Sequence, residues 1–137
     1  MRLVEAERQG HLAGYASIVL IGMAGRQGWS TFAESPERRD GAPHPLDRWS
    51  RRVIDTLASA LGGHAFYPFG GPPYWPFQQW AMRAEPLHVS PLGILIHPDY
   101  GLWHSYRGAL ALAEALEIPA AAPRESPCGA CAARPCL

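Results

Sequence analysis

The chain has 137 residues, enough for one domain with its own hydrophobic core. Twelve basic and twelve acidic residues give a formal net charge of zero, so neither nucleic acid nor an anionic membrane is an expected partner. No apolar run approaches the length that spans a bilayer, and the apolar residues 16–25 lack the flank of a signal peptide, so we expect a cytoplasmic protein.

The first elements are a short helix or arm over residues 1–14 and a strand over residues 17–23. The strand is predicted because SIVLIGM is rich in β-branched residues and is followed by Ala-Gly. Residues 26–43 read as a polar loop, with Trp29 and Phe32 expected to anchor its near end to the core.

A helix is predicted to begin at Pro45, because proline is well placed at the first helical position. Gly62 and Gly63 follow the last apolar residue and are expected to end it. One apolar stripe of a 3.6-residue period runs along this helix: Leu46, Trp49, Val53, Ile54, Leu57 and Leu61.

Residues 64–69 are predicted as a short strand and residues 76–85 as a second helix. The segment between them, residues 67–80, is unusually aromatic and is interleaved with glycine and proline. Such a segment can build rigid walls around a flat ligand, or it can pack a small core beneath a loop.

Two apolar arms within residues 92–112 flank a Pro-Asp-Tyr-Gly turn. We interpret them as a central antiparallel β-hairpin, with His97 and His104 on either side of the turn. Arg107 lies in an apolar, aromatic arm and needs a partner, since an unpaired buried charge is very costly. That partner is either a carboxylate of the protein or an anionic group of a ligand.

The order strand, helix, strand, helix, hairpin predicts an α+β domain over residues 1–118. Residues 119–137 differ in character and form a proline-rich tether followed by Cys128, Cys131 and Cys136. Soft thiolates select zinc, copper(I) or iron–sulfur clusters, so this cysteine-rich tail is a candidate metal site.

Three interpretations of the tail remain open. In the first, the tail is the start of an iron–sulfur motif whose fourth ligand lies beyond Leu137, because such clusters take four cysteines. In the second, it is a three-cysteine zinc site completed by a histidine. In the third, it is an idle or redox-active dithiol without metal. A structural disulfide is the least favoured role, because no secretory signal is present.

The pattern Ile-His-Pro-x-Tyr-Gly-x-Trp-x-x-x-Arg-Gly at residues 96–108 resembles a hairpin of cobalamin-processing proteins, including the decyanating cobalamin chaperone. Together with the tether and the Cys-x-x-Cys pair, it resembles the epoxyqueuosine reductase family and ferredoxin-labelled [4Fe–4S] proteins. The resemblance covers residues 92–137 well. Four residues separate Cys131 from Cys136, where the reductases have two, so the ferredoxin-labelled proteins are the better match.

The resemblance implies a nitroreductase-like domain that binds a corrinoid (cobalamin), followed by a cysteine-rich segment that holds [4Fe–4S] clusters. It implies that the cofactor-binding residues of the cavity belong to the hairpin: His97, Tyr100, Gly101, Trp103 and Arg107. It further implies that the first three ligands of a cluster are Cys128, Cys131 and Cys136.

Two functions of different classes follow as hypotheses. The first is an iron–sulfur electron-transfer protein, as part of a cobalamin-dependent reductase that receives electrons from a donor protein. The second is a non-catalytic domain that binds a small molecule or a partner, with a zinc-binding or metal-free tail.

Overall fold

The computed structural model describes residues 1–3, 10–118 and 122–134. A short 3-10 helix at Gly10–Leu12 precedes the main elements. These are β1 (Ser17–Ala24), α1 (Gln27–Ala33), α2 (Pro36–Arg39), α3 (Pro45–Leu61), β2 (His64–Phe66), α4 (Phe77–Ala84), β3 (His88–Val89), β4 (Leu95–Ile96) and β5 (His104–Leu112). Helices and an antiparallel sheet are combined, so the α+β prediction is confirmed.

The main sheet is antiparallel, with the strand order β1–β5–β2. Its register steps from the pair Ile21–Gly108 to the pair Gly22–Tyr106. Arg107 is therefore the extra residue of a β-bulge, a feature that redirects a side chain relative to its neighbours. A separate two-stranded sheet pairs β3 with β4.

Both faces of the main sheet are covered. On one face α3 packs through Ile54 and Ala58 against Leu110 of β5. Gly108 permits this close approach, because a Cβ built there would lie 2.5 Å from Cδ1 of Ile54. On the other face the core is formed by residues from α4, the strands and the amino-terminal region: Leu3, Leu12, Ile18, Phe66, Phe77, Trp80, Ala109 and Ala111.

The helix predicted from Pro45 is confirmed, and it ends at Gly62, whose φ of 62° is left-handed. Its predicted stripe is only partly buried, because Leu57 and Leu61 are exposed. The helix instead contacts the sheet through Ser50, Ile54 and Ala58. The narrow three-stranded sheet covers only that strip of the helix surface.

The predicted central hairpin is wrong. Its first arm forms β4, which pairs with β3, whereas β5 pairs with β1 and β2. A single bridge between His97 and Gly101 joins the two arms. The arms diverge because β5 forms a long register with β1, which no local turn signal reveals.

The loop predicted over residues 26–43 is also wrong, since it contains α1 and α2. Ser35 caps α2, its Oγ accepting a hydrogen bond from the Arg38 backbone N–H at 3.3 Å. Phe32 is buried as expected, but Trp29 is 57% exposed.

The remaining boundaries are close to those expected. The strand predicted over residues 64–69 stops at Phe66, and the second helix is confirmed at Phe77–Ala84. Most of the helix or arm predicted over residues 1–14 lies at residues 4–9, outside the described chain. No helix of the described ranges combines the length and apolar character that crossing a bilayer demands.

Candidate functional site

The His-Pro turn is closed by two backbone hydrogen bonds. The N–H of His97 donates to the carbonyl of Gly101, and the N–H of Gly101 donates to the carbonyl of His97, both at 2.9 Å. Gly101 ends this turn with a φ of +58°, a left-handed conformation that glycine adopts without strain. The prediction of a tight turn here is confirmed.

The imidazole of His97 is part of this turn. Its Nδ1 accepts hydrogen bonds from the N–H groups of Asp99 at 3.0 Å and Tyr100 at 3.2 Å. Nδ1 is therefore the unprotonated nitrogen, and Nε2 carries the hydrogen. Nε2 lies 3.5 Å from a carboxylate oxygen of Glu85, at the end of α4.

Glu85 also accepts a hydrogen bond from the Tyr106 hydroxyl at 3.2 Å. Partial burial and the neighbouring Glu85 carboxylate raise the pKa of Tyr106 well above its ordinary value, so the hydroxyl stays protonated as a donor. Glu85 thus links α4 to the turn through His97 and to the main sheet through Tyr106.

His104 presents a different nitrogen to its surroundings. Its Nδ1 lies 3.0 Å from the carbonyl oxygen of Gly101. A carbonyl can only accept, so Nδ1 carries the hydrogen, and Nε2 of the neutral ring is left as an acceptor. His104 lines a cavity of about 240 Å³ together with His97, Tyr100 and Glu85.

A larger groove of about 1040 Å³ adjoins that cavity and shares Tyr100 and His104 with it. It runs between the His-Pro turn and α1. Its walls are mostly apolar, and two of the side chains that line it, Trp103 and Trp29, are among the most exposed large apolar residues of the described chain. Its volume is at the upper end of the range for ligand pockets.

The predicted cofactor residues are only partly brought together. His97 and Tyr100 line the small cavity, Tyr100 and Trp103 line the groove, and Gly101 shapes the turn between them. Trp103 lies one residue before β5 and is 81% exposed. The aromatic residues Trp75 and Trp80 pack in the core, as one of the two interpretations of their segment expected.

Arg107 is directed toward α3. One of its terminal nitrogens contacts the Asp47 carboxylate, and its Nε donates to the Ser50 hydroxyl at 3.1 Å. Both partners belong to α3. The bulge at Arg107 explains this placement, because it turns Arg107 and Gly108 toward the same helix. Of the two partners expected for Arg107, a protein carboxylate or an anionic group of a ligand, the structure shows the carboxylate, that of Asp47.

The cysteine-rich tail returns to the His-Pro turn. Arg124 forms an ion pair with Asp99 at 2.7 Å, between side chains that are about half exposed. Beyond it, the N–H of Cys131 donates to the carbonyl of Cys128 at 3.4 Å, so one tight turn carries both cysteines. Both thiols are free and partly buried. Cys136 lies outside the described residues.

The described residues do not assemble a complete metal site. Among them, no group of three or more His, Cys, Asp or Glu side chains is close enough to hold one ion. The sulfur donors of the tail are nevertheless of the type that ligates iron–sulfur clusters, since a Cys-x-x-Cys turn supplies two thiolates.

Four residues that shape the site were not expected from the sequence as its components: Glu85, Tyr106, Trp29 and Arg124. Glu85 and Arg124 approach the turn from segments distant along the chain, so no local pattern marks them. His104 could have been included, because it follows Gly101 by three residues and the turn carbonyl is then within reach of its ring.

No family model, curated protein or solved structure matches the chain. The residues of the turn, the groove and the tail are therefore the basis for any functional assignment.

Proposed function

We propose that this protein is an iron–sulfur electron-transfer protein, working as part of a cobalamin-dependent reductase. In this proposal Cys128, Cys131 and Cys136 hold a [4Fe–4S] cluster, and the groove beside the His-Pro turn binds a corrinoid. The observation that carries the proposal is the ion pair between Arg124 and Asp99, because it joins the cysteine-rich tail to the turn that walls the groove.

The groove supports the corrinoid part of the proposal by its size and its walls. A corrinoid is a large, flat macrocycle, and the groove offers about 1040 Å³ beside exposed aromatic rings. Trp29 and Trp103 would cover apolar faces of such a ligand and exclude water from it. Polar groups of the macrocycle's rim would meet His104, which lines the groove.

The tail supports the cluster part by the chemistry of its donors. Cys128 and Cys131 share one turn, and thiolate ligands of iron–sulfur clusters commonly come in such closely spaced pairs. The chain has three cysteines, so the fourth ligand has to be another residue or another segment.

The chemistry of the proposed reaction belongs to the cofactors, which supply one-electron reduction when they are bound. The chain's own residues would bind the cofactors, orient them and shield them from water. His97 fixes the turn through two N–H groups and Glu85, Trp103 lines the groove, and the Arg124–Asp99 pair keeps the tail beside it.

The cluster is tested by anaerobic reconstitution with iron and sulfide. We expect the wild-type protein to take up both and to acquire the broad visible absorption of an iron–sulfur protein. The Cys128→Ser/Cys131→Ser variant should take up neither while keeping its circular dichroism spectrum. Colourless protein that binds one zinc ion per chain would contradict the proposal and favour the non-catalytic binding domain.

Binding of a corrinoid in the groove is tested by titrating the protein with cobalamin while following tryptophan fluorescence. We expect Trp103→Ala to weaken binding about 10-fold, or about 1.4 kcal/mol. Tyr74→Ala is the matched control, because Tyr74 is equally exposed at 80% and does not line the groove. Equal affinities of the two variants and the wild type would exclude the groove.

A further inference from the structure

A second cavity, of about 410 Å³, lies away from the groove and shares no lining residue with it. It is bordered by the 3-10 helix at Gly10–Leu12, by β2 and by the loop that follows β2. Five aromatic side chains contribute to its walls: Tyr15, Phe66, Tyr67, Phe69 and Trp75.

The described residues that line this cavity carry charge of one sign. Arg51, His11 and His64 line it, and none of the described lining residues is acidic. The rings of the two histidines lie against aromatic neighbours, His11 against Trp75 at 5.7 Å and His64 against Phe66 at 4.9 Å between ring centroids. The cavity therefore combines flat apolar walls with hydrogen-bond donors suited to an anion.

Arg51 differs from the other arginines that contact side chains in the described chain. Its guanidinium carbon lies 4.3 Å from the ring centroid of Tyr67 and 5.6 Å from that of Phe69. Four other arginines each pair with a carboxylate: Arg48, Arg52, Arg107 and Arg124. Within the described ranges, Arg51 has no such ion pair.

The stacking keeps the guanidinium oriented while leaving its N–H donors for another partner. Tyr67 is itself held in place, because its hydroxyl donates to the Asp55 carboxylate at 2.5 Å. A preoriented guanidinium loses little freedom when it binds a carboxylate or a phosphate with two parallel hydrogen bonds.

We propose that this cavity binds a small aromatic anion, with Arg51 pairing to its carboxylate or phosphate and the aromatic walls contacting its ring. A nucleoside monophosphate and an aromatic carboxylate share this chemistry. The site is independent of the proposed electron-transfer function, and either can fail without the other.

Calorimetric titration of the full chain with benzoate and with adenosine monophosphate tests the site. We expect at least one of these anions to bind with a Kd of about 1 mM or tighter, whereas the uncharged analogues benzamide and adenosine bind at least 10-fold more weakly. Binding by benzoate alone identifies a carboxylate ligand, and binding by the nucleotide alone identifies a phosphate. Failure of both anions to saturate would overturn the proposal.

Variants locate the binding. Arg51→Gln should lower the affinity for the anion 10-fold or more, as expected for loss of a charge-assisted hydrogen bond. Arg51→Lys should retain only part of the wild-type affinity, because lysine lacks the planar fork of donors. Arg39→Gln makes the same change of net charge at an exposed position outside the cavity. Equal affinities of Arg51→Gln and Arg39→Gln, with unchanged thermal unfolding of both, would exclude Arg51 as the anion's partner.

Discussion

The guanidinium of Arg107 joins β5 to α3 through Asp47 and Ser50. All three residues are at least partly buried, so each polar group depends on the others for its hydrogen bonds. Arg107 is therefore placed to stabilise the fold, although its position in the sequence suggested a ligand contact.

Replacing Arg107 with leucine should lower the free energy of unfolding by about 1–3 kcal/mol, because Asp47 would be left partly buried without its partner. Urea unfolding of the variant measures this loss. We expect the affinity for cobalamin in the groove to stay at the wild-type value.

The double variant Arg107→Leu/Asp47→Asn provides the control, because it removes both charges. Its stability should exceed that of Arg107→Leu alone, as expected when a coupled pair is removed together. Additive losses in the double variant, or a large loss of cobalamin affinity in Arg107→Leu, would contradict the assignment.

Gly108 offers a second residue-scale test. A methyl group there would meet Cδ1 of the buried Ile54 at 2.5 Å, so Gly108→Ala should cost about 1–3 kcal/mol of stability through overpacking. Gly71→Ala is the matched control, because a Cβ there meets nothing within 4 Å and its φ is not left-handed. Thermal unfolding compares the two; equal midpoints would show that α3 can move aside.

At the scale of elements, the sequence predicts best what depends on neighbouring residues. Pro45 and Gly62 mark the ends of α3, and both marks are correct. The Ser-Pro-Glu sequence that begins α2 was also a local signal, since a serine cap followed by proline favours a helix start. That signal was outweighed by the polarity of the surrounding segment.

Pairing between distant strands could not be predicted in the same way. Residues 92–112 contain two apolar arms and a well-formed turn, which locally favour a hairpin. The structure instead pairs β5 with β1, and in the pair Ser17–Leu112 the two residues are 95 positions apart in the chain. The candidate site shows the same limit: the turn at His97 was predictable, whereas Glu85, Trp29 and Arg124 reach it through tertiary packing.

The junction of α2 and α3 should give the protein an acid-sensitive stability. Hydrogen bonds from Arg48 hold the pKa of Asp40 down at about 2, below its usual value of 3.8. Because the folded pKa is the lower one, this carboxylate stabilises the fold above about pH 4, and its contribution is lost as the pH falls toward about 2.

Thermal unfolding between about pH 5 and about pH 2 tests this expectation. The Asp40→Asn variant should be less stable than the wild type at the upper end of that range, and the difference should disappear at the lower end. Glu114→Gln removes an exposed carboxylate elsewhere and serves as the control. A difference between Asp40→Asn and wild type that does not change with pH would contradict the role of this ion pair.

At the scale of the whole molecule, three features meet at one end of the sheet. The His-Pro turn closes it, the apolar groove opens between the turn and α1, and the cysteine-rich tail is held to the turn by Arg124 and Asp99. The aromatic cavity around Arg51 is a separate region of the molecule. The proposed electron transfer requires the groove and the tail to be occupied at the same time, with the two cofactors close together.

Electron paramagnetic resonance of the reconstituted protein tests that requirement most directly. The cluster is reduced, and a paramagnetic Co(II) corrinoid is added in the stoichiometry that fills the groove. Proximity predicts signals split or broadened by magnetic interaction between the two centres, and Trp103→Ala should weaken that interaction by lowering corrinoid occupancy. Protein that carries both centres with two unperturbed spectra, or protein that takes up no iron and sulfide, would contradict the account.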